Sequence, residues 1–479
     1  MSDAILGMTA TDLASAIRAR QVSPVEAMQA VLERAAAAQA RCNAFITLDG
    51  ARALEAARAA EAAVVAGEPL GALHGVPVSV KDLCNTADLR TTFGSLAYKD
   101  NIPAADCVAV ARLKAAGAIV FAKTTTPEFG HKPLTEAPLF GRTLNPWDLT
   151  RTPGGSSGGS GVAVAAGAGP LAVGTDGGGS TRIPAAACGV VGFKQSLGVV
   201  PHDQTPDVFG LLAYVGPMAR TVQDAGLMLD VMAGPHASDP HSLGRDLQGL
   251  AAAAARPGDL KGRRIGYRLT MGNDRVDPET RAAFEASLAV LADLGADLVE
   301  RNDAFENTLP VWGPLTFSIW ACRFAGAEQT LGDAMSATLR HWMGEGRRFG
   351  ATEVQQAMEA RTRLFRQVQS WFEEIDFLAT PTLAAPALPA DQDPLQPVVI
   401  DGGPAGGLRD GWYPYTHPFN LTGHPAITVP NGFTAAGLPA GGLQLAAPWF
   451  ADADLLSAAA AYEAARGDDD RRPPGFGIR

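Results

Sequence analysis

The sequence predicts an α/β fold in which helices cover a β-sheet. Helical patterns alternate with short apolar runs, and this alternation is typical of layered α/β proteins. The chain has 479 residues, of which 47% are hydrophobic, so it can bury a large core. No change in composition and no internal repeat divides it, which favours one large domain over two or three.

The helices are predicted from their first residues and their periodicity. Ser23-Pro24-Val25-Glu26 has the pattern of a capping box with proline at the first helical position, so a helix begins there. The alanine-rich stretch 51–65 continues the helical pattern. Residues 107–116 form a further helix that Gly117 ends, and 278–295 form an amphipathic one.

The strands are predicted from short buried runs. Residues 76–80 form an apolar strand that delivers Lys81 at its end, and 118–122 form the next strand. Residues 260–267 indicate a turn entering a strand. The apolar segment 162–168 follows a dense run of glycines and is expected to be a helix pressed closely against the sheet. Residues 418–430 are partly strand-like and are expected to return to the main sheet.

Two stretches show little regular secondary-structure pattern. Residues 300–400 show the least regular pattern, and their tryptophans, Trp312 and Trp320 among them, suggest a variable region that carries specificity. The run 380–407 is rich in proline, glycine and aspartate, which predicts a long surface loop.

Charge and hydropathy exclude several classes of protein. The net charge of -11 is spread along the chain, and no basic stripe of the kind that binds a phosphate backbone is present, so no nucleic-acid partner is expected. No apolar run is long enough to span a bilayer, and residues 1–20 lack the pattern of a signal peptide. We therefore expect a soluble cytoplasmic protein with no membrane partner, as a monomer or homodimer.

The cysteines and histidines give no support to a metal site or a cofactor. The five cysteines are scattered and never spaced as CxxC, which favours small core residues over disulfides or zinc ligands. The eight histidines form no metal-binding motif. An enzyme of this kind must therefore take its nucleophile and base from ordinary side chains.

Two glycine-rich runs, 153–159 and 174–184, are the strongest chemical signal. Glycines can expose successive N–H groups to an anion, and a serine at the end of such a run lies where an oxyanion can be held. We expect Gly177, Gly178 and Gly179 to form the oxyanion hole while Ser180 supplies the attacking oxygen.

A serine nucleophile needs a base, and no histidine lies in or near either glycine run. Lysine is a known substitute, because burial in an apolar setting favours its neutral form. Val78 and Val80 suggest such a setting for Lys81. Taken alone, Lys81 would be interpreted as a surface lysine beside Asp82, and only the joint pattern favours a Ser-Lys arrangement.

The ordered set of motifs resembles the amidase-signature family. The resemblance covers most of the chain and rests on these segments: Lys81 after an apolar strand, Lys123-Thr124, Glu128-Phe129, Asn145-Pro146-Trp147, Gly154 to Gly159, Gly174 to Pro184, Cys188-Gly189, Gly192-Phe193-Lys194, Gly216 to Thr221, and Phe419 to Pro425. The chain departs from the family pattern at 125–126 and 195–196, and the region 305–348 has no match to the pattern.

The resemblance implies both a fold and a set of roles. The fold is one large α/β domain over residues 1–479, with a mixed twisted sheet covered by helices. Ser180 resembles the family's nucleophile, Lys81 its base, and Ser156 its relay serine, whose preceding peptide bond is typically cis. Ser157 resembles a supporting hydroxyl. Asp176 and Arg182 resemble residues that order the nucleophile loop.

The activity implied is hydrolysis of carbon-nitrogen acyl bonds through an acyl-enzyme, with amides as substrates and carbamates (as for a urethanase) or esters as further candidates. Two alternatives stay open: an amidotransferase A-type subunit that releases ammonia from glutamine, and a catalytically silent binding protein on the same fold. A nucleophile elbow at 154–158 is disfavoured because neither a strand before it nor a histidine partner is evident. A phosphate-binding loop lacks the GxxxxGK pattern.

The substrate pocket is predicted from the segments that the framework does not use. Phe129, Gly130 and His131, together with Trp312 and Trp320, are expected to form it. A wall with few charges would select uncharged aryl or alkyl acyl groups over free glutamine or asparagine. The histidines at 131, 417 and 424 are interpreted as structural or pocket-wall groups rather than bases.

Overall fold

The computed structural model describes residues 2–210, 212–244, 247–467 and 471–477. The strands are, in chain order, β1 Phe45–Leu48, β2 Pro77–Lys81, β3 Ile119–Thr124, β4 Glu136–Ala137, β5 Gly141–Arg142, β6 Leu171–Asp176, β7 Val191–Lys194, β8 Tyr214–Ala219, β9 Arg264–Tyr267, β10 Asp297–Glu300, β11 Phe377–Pro381, β12 Val399–Ile400, β13 Gly403–Pro404, β14 Ala426–Val429 and β15 Leu443–Ala446.

An 11-stranded mixed sheet forms the centre of the protein, in the order β1-β3-β2-β6-β8-β7-β14-β15-β11-β9-β10. Parallel ladders join β2 to β3 and β6, and β9 to β10 and β11. The remaining neighbours in this sheet are antiparallel. Helices cover the sheet, so the predicted α/β fold with a mixed sheet is confirmed.

The helices are, in chain order, α1 Ser2–Gly7, α2 Ala10–Arg18, α3 Pro24–Cys42, α4 Gly50–Ala66, α5 Val108–Ala115, α6 Gly158–Ala165, α7 Arg182–Cys188, α8 Val222–Met232, α9 Leu250–Ala254, α10 Pro278–Asp293, α11 Leu309–Arg323, α12 Ala325–Leu331, α13 Ala337–Gly346, α14 Ala351–Trp371, α15 His417–Thr422 and α16 Asp452–Ala465. No helix in the described ranges is long and apolar enough to cross a membrane.

Local sequence signals set the bounds of several elements. Ser23 caps α3 by accepting from the Val25 and Glu26 amides, and Glu26 accepts from the Ser23 amide in return, so the predicted capping box is confirmed. The predicted helix at 278–295 is α10. The segment 418–430 returns to the sheet as β14, between β7 and β15, as expected.

Two apolar clusters hold the layers together. The larger one contains the inner faces of β2, β3 and β6 together with α3, α6, α8 and α16. The smaller one joins α11 and α14 to the segments around Leu383, Trp412 and Phe419. Val80, which precedes Lys81, belongs to the larger cluster, and Ile183, three residues after Ser180, belongs to the smaller one.

The expectation of irregular structure at 300–400 is wrong, because α11 to α14 occupy much of this region. The helical period of α11 is hidden in its sequence: it is apolar on most sides, contains Pro314, and packs between α13 and α14. The surface loop predicted at 380–407 is also partly wrong. Thr380 lies in β11, and 382–385 are buried.

Four of the five cysteines are buried, as expected for small core residues. Cys322 differs because it is exposed, near the end of α11.

Candidate active site

The sheet brings Lys81 next to the glycine-rich run at 174–184. β2 and β6 are parallel neighbours, and Val80 lies opposite Val173. Lys81, at the end of β2, is therefore beside Thr175 near the end of β6. Carboxyl ends of parallel strands meet at one edge of a sheet, where α/β proteins commonly bind ligands.

The loop that carries Ser156 and Ser157 is held at the same edge by α6, which packs on β2 and β6. α6 also packs closely on the end of β3, and this approach requires glycine, because a Cβ atom at Gly159 would lie 2.4 Å from the Thr125 amide nitrogen. The close packing expected from the glycine run is thus present. The Gly155-Ser156 peptide bond is cis, as the resemblance implies.

Lys81 is fully buried and surrounded by hydroxyl groups, so it is not the surface lysine that its isolated sequence would suggest. Its Nζ lies 2.8 Å from each of three hydroxyl oxygens, those of Ser156, Ser157 and Thr175. No carboxylate forms an ion pair with it among the described residues. Burial lowers the pKa of Lys81 to about 7, although Cys84 and Asp176 act in the opposite direction.

Ser157 connects the lysine to the chain around Ser180. Its hydroxyl donates to the Thr175 carbonyl at 3.2 Å and accepts from the Thr175 amide at 3.2 Å. Its own amide donates to the Ser180 carbonyl at 3.1 Å. The Ser180 hydroxyl has no hydrogen-bond partner within the described part of the chain, and it faces the same cavity as Ser156.

A buried ion pair anchors the loop before and after Ser180. Asp176 and Arg182 are both fully buried, with Oδ1 and Nη2 3.0 Å apart. Arg182 also donates to Gln444 and Asn420, and Asn420 donates to the Asp176 carboxylate. Burial alone would raise the pKa of Asp176, but Arg182 and these hydrogen bonds lower it to about 2. The carboxylate is therefore ionised throughout the neutral range.

The glycine turn is fixed by its carbonyl groups. Trp312 Nε1 donates to the Gly177 carbonyl at 3.3 Å, and the Thr416 hydroxyl donates to the Gly178 carbonyl at 2.8 Å. The Gly179 amide donates to Asp176 Oδ1, so it does not point to the cavity as an oxyanion donor. Within the described ranges, the amides of Gly177, Gly178 and Ser180 have no protein acceptor.

A cavity of about 500 Å³ opens in front of these residues. All five residues of the predicted pocket line it, together with both serines: Phe129, Gly130, His131, Trp312 and Trp320. Phe129 stacks on Phe324 with ring centroids 4.2 Å apart. The segments 129–131 and 312–324, distant in sequence, therefore form one wall.

His131 is a structural group in this wall. Its Nδ1 lies 2.7 Å from the Glu128 carbonyl and must donate to it, so Nε2 accepts from the Thr338 hydroxyl. Burial holds the pKa of His131 well below its usual value. His417, which also lines the cavity, has its pKa lowered to about 3, chiefly by burial. His424 is buried and contacts Thr422 and Gln369, so none of the three histidines is placed as the base.

A model of the Amidase family matches residues 26–456 of this chain. The chain belongs to the amidase signature family. The acylamidase of Rhodococcus erythropolis is 38% identical over 475 residues, and the match covers 97% of both chains. The glutamyl-tRNA(Gln) amidotransferase A subunit of Acidothermus cellulolyticus is also 38% identical, over 502 aligned positions that cover 97% of this chain and 95% of the relative.

The solved structure of a bacterial aryl acylamidase of the amidase signature family has the same fold. It aligns with a TM-score of 0.89 and 29% sequence identity over 96% of each chain. Membership of this family makes the protein a hydrolase of amide carbon-nitrogen bonds, and small-molecule amides are typical substrates of the family.

Three residues of this amidase signature site were given no role by the sequence alone. Thr175 lies between Gly174 and Asp176 in the second glycine-rich run, and the sequence alone gives no reason to assign its hydroxyl a role. Asn420 lies in the late segment 419–425, which carried only a family resemblance. Arg409 lies in a stretch that was expected to follow a surface loop, and no local pattern signals its burial in the cavity wall.

Proposed function

We propose that this protein hydrolyses amides with Ser180 as nucleophile, Ser156 as proton relay and Lys81 as general base. The observation that carries the proposal is the environment of Lys81. A buried amine with a pKa of about 7 is largely neutral at slightly alkaline pH, and it lies 2.8 Å from Ser156 Oγ. A neutral amine there can accept a proton.

In the acylation step, Lys81 takes the Ser156 proton as Ser156 takes the Ser180 proton. Ser180 Oγ bonds to the acyl carbon, and the substrate's carbonyl oxygen becomes an oxyanion. The amides of Gly177, Gly178 and Ser180 are the candidate donors to that oxyanion. The carbon-nitrogen bond then breaks, and the proton held by Lys81 returns through Ser156 to the leaving amine.

In the deacylation step, water attacks the Ser180 ester and gives a proton to the same relay. The second tetrahedral intermediate collapses, the carboxylic acid leaves, and Ser180 recovers its proton from Ser156. No step requires a metal or a cofactor. A catalytically silent binding protein has no need of a buried, unpaired amine among three hydroxyl groups, and this argues against that alternative.

Two variants and one control test the triad. Ser180→Ala should abolish turnover and the acyl adduct that intact-mass spectrometry detects with an activated ester. Lys81→Ala should lose turnover but keep substrate binding. Lys99→Ala, at an exposed lysine, should keep both. Full activity in Ser180→Ala or Lys81→Ala would exclude the mechanism.

The proposed substrates are aryl or alkyl amides, with carbamates and esters cleaved through the same carbonyl attack. The aromatic wall supports this preference, because Trp312, Trp320 and Phe129 offer faces for apolar groups. A panel of p-nitroanilides, aliphatic amides, carbamates and glutamine, ranked by kcat/KM, tests it. If glutamine ranks first, the assignment is wrong while the triad stands.

A second candidate function is an amidotransferase A-type subunit, since relatives of that name are as similar in sequence as the acylamidase. Such a subunit would release ammonia from glutamine only with its partner proteins. Cleavage of an anilide by the purified chain alone, without glutaminase activity when such partners are added, would exclude this function.

We further propose one domain over residues 1–479, in which the region at about 300–400 varies the pocket, and a cytoplasmic monomer or homodimer. The single domain is supported by the one sheet that includes strands from Phe45 to Ala446. Light scattering and limited proteolysis test the oligomeric state and the single domain.

A further inference from the structure

Arg409 is a buried cation in the wall of the active-site cavity. It lies in a single π-helical turn, Leu408–Trp412, whose first and last residues are anchored in the smaller apolar cluster. Only 9% of its surface is exposed, and it lines the cavity that Ser156 and Ser180 also face. Turns of this type are rare and frequently occur at functional sites.

The contacts of Arg409 hold the guanidinium in place without neutralising it. Its Nη2 donates to the His131 carbonyl at 3.2 Å. Its Cζ lies 4.3 Å from the centroid of a Trp312 ring, and Phe317, Trp320 and Trp342 are near the same guanidinium. Within the described ranges, none of the ion pairs includes Arg409. Burial lowers the pKa of Arg409, and its chain neighbours Tyr413 and Asp410 act in the opposite direction without forming an ion pair or a hydrogen bond with it.

The contacts also place Arg409 close to the reacting groups. Trp312, on which it stacks, donates to the Gly177 carbonyl in the turn before Ser180. His131, whose carbonyl it binds, follows Gly130, at which a Cβ atom would lie 3.2 Å from Ser156 Oγ. A substrate bound at Ser180 therefore lies within the same small enclosure as the guanidinium.

The other ionisable groups of the wall do not offer an equivalent charge. Lys132 pairs with Glu136 at 2.8 Å. Arg323 is exposed at the rim, and so is Asp207. The pKa of His202 is lowered to about 4, chiefly by burial, so this residue is neutral, as His417 is.

A buried charge without an ion-pair partner is costly, and proteins seldom keep one without a ligand. Arginine cannot escape the cost by losing its proton at neutral pH. A guanidinium has five N–H donors, one of which is used on the His131 carbonyl, and its planar fork matches a carboxylate in a two-point contact.

We infer that Arg409 binds a carboxylate of the substrate, so that the preferred substrates are amides with an apolar body that also carry one carboxylate. This inference rests on the proposed function and narrows its substrate class. It departs from the expectation that a wall with few charges selects uncharged acyl groups. Free glutamine remains disfavoured, because its ammonium group meets no buried carboxylate in the described wall.

Matched substrate pairs test the inference. The acyl-side pair is glutaric acid mono-4-nitroanilide and pentanoic acid 4-nitroanilide. The amine-side pair is N-butyryl-4-aminobenzoate and N-butyryl-4-methylaniline. In at least one pair, kcat/KM for the substrate that carries the carboxylate should exceed kcat/KM for its neutral partner by about tenfold to hundredfold. This is the factor that one charge-assisted hydrogen-bonded contact contributes. The pair that shows the preference identifies which side of the substrate Arg409 contacts.

Arg409→Met should bring the ratio of kcat/KM for the carboxylate substrate to kcat/KM for its neutral partner close to one. Arg323→Met, at the other arginine that lines the cavity, should leave this ratio unchanged. Arg409→Lys, which keeps the charge but loses the planar fork, should give an intermediate ratio, and it decides the matter if Arg409→Met does not fold. Absence of preference in both pairs, its survival in the Arg409 variants, or its loss in Arg323→Met would overturn the inference.

Calorimetry separates this result from failure of the triad. Glutarate should bind to Ser180→Ala, which cannot form an acyl-enzyme, and should bind much more weakly once Arg409→Met is added. Hydrolysis of the neutral anilide by the unmodified enzyme, and its loss in Ser180→Ala, reports on the triad alone. A protein that binds glutarate through Arg409 but cleaves no anilide would contradict the proposed function and not the carboxylate site.

Discussion

The Gly179 amide donates to the Asp176 carboxylate at an N–O distance of 2.6 Å. The same carboxylate accepts from the Thr181 amide at 3.2 Å and pairs with Arg182. One buried anion thus closes the turn around Ser180 from both sides. This closure explains why the amides of Gly177 and Gly178, rather than that of Gly179, remain available to a substrate oxygen.

Asp176→Asn should destabilise the protein by about 3–5 kcal/mol, because Arg182 would remain buried without its counterion. Urea unfolding measures the loss. Glu345→Gln breaks an ion pair with Arg348 whose side chains are 36% and 74% exposed, and it should change stability by less than about 0.5 kcal/mol. Equal effects of the two substitutions would show that the Asp176 pair is not a structural anchor.

The pH dependence of kcat/KM should follow the ionisation of Lys81. Its pKa is lowered to about 7, so the amine is protonated and inactive as a base below that pH and neutral above it. With a substrate that does not titrate, kcat/KM should rise tenfold per pH unit on the acid side and level off above about 7. A profile that is flat on both sides of neutrality would contradict the assignment of Lys81 as the base.

Gly130→Ala should reduce kcat/KM at least about tenfold. Gly130 has φ of 72°, and a Cβ atom there would lie 2.7 Å from Leu83 Cδ1 and 3.2 Å from Ser156 Oγ. Gly141→Ala is the matched control, because Gly141 has φ of 83° and a Cβ atom there would meet no other atom within 4 Å. Both should lose about 1 kcal/mol of stability from backbone strain. Only Gly130→Ala should lose activity, and similar kinetics for the two would refute the contact with Ser156.

The sequence predicts the framework of the site better than its wall. Lys81 could be placed because Val78 and Val80 mark a buried strand that ends there, and the glycine runs mark both serine loops. Arg409 could not be placed, because its neighbours Trp312 and His131 lie about a hundred residues or more away along the chain. The direction of a single amide, such as that of Gly179, depends on turn geometry that a run of three glycines leaves open.

Helix α11 illustrates the same limit at the level of secondary structure. Periodicity reveals a helix with one polar face, whereas α11 is covered by α13 and α14 and has few polar positions. Its internal Pro314 further resembles a break. The place of Trp312 and Trp320 in the cavity wall is predicted from the segments that the framework does not use, but their helical arrangement is not.

Thr175→Val should shift the acid limb of the pH profile to lower pH. The Thr175 hydroxyl lies 2.8 Å from Lys81 Nζ and accepts a hydrogen bond from its ammonium form. Loss of that acceptor destabilises the charged form, so the pKa of Lys81 should fall, by about one unit for a hydrogen bond of typical strength to a charged group. The plateau rate should also fall, because one contact that orients the amine is gone. The loss of kcat/KM in the variant is therefore smaller at acid pH than at alkaline pH, a pattern that general destabilisation would not produce.

Thr124→Val is the control. Thr124 is a buried threonine at the end of β3, the strand next to β2, and its hydroxyl contacts Ser160 rather than Lys81. The acid limb of the kcat/KM profile of Thr124→Val should stay at the pH of the unmodified enzyme. If the acid limb of Thr175→Val also stays there, Thr175 does not change the pKa of Lys81.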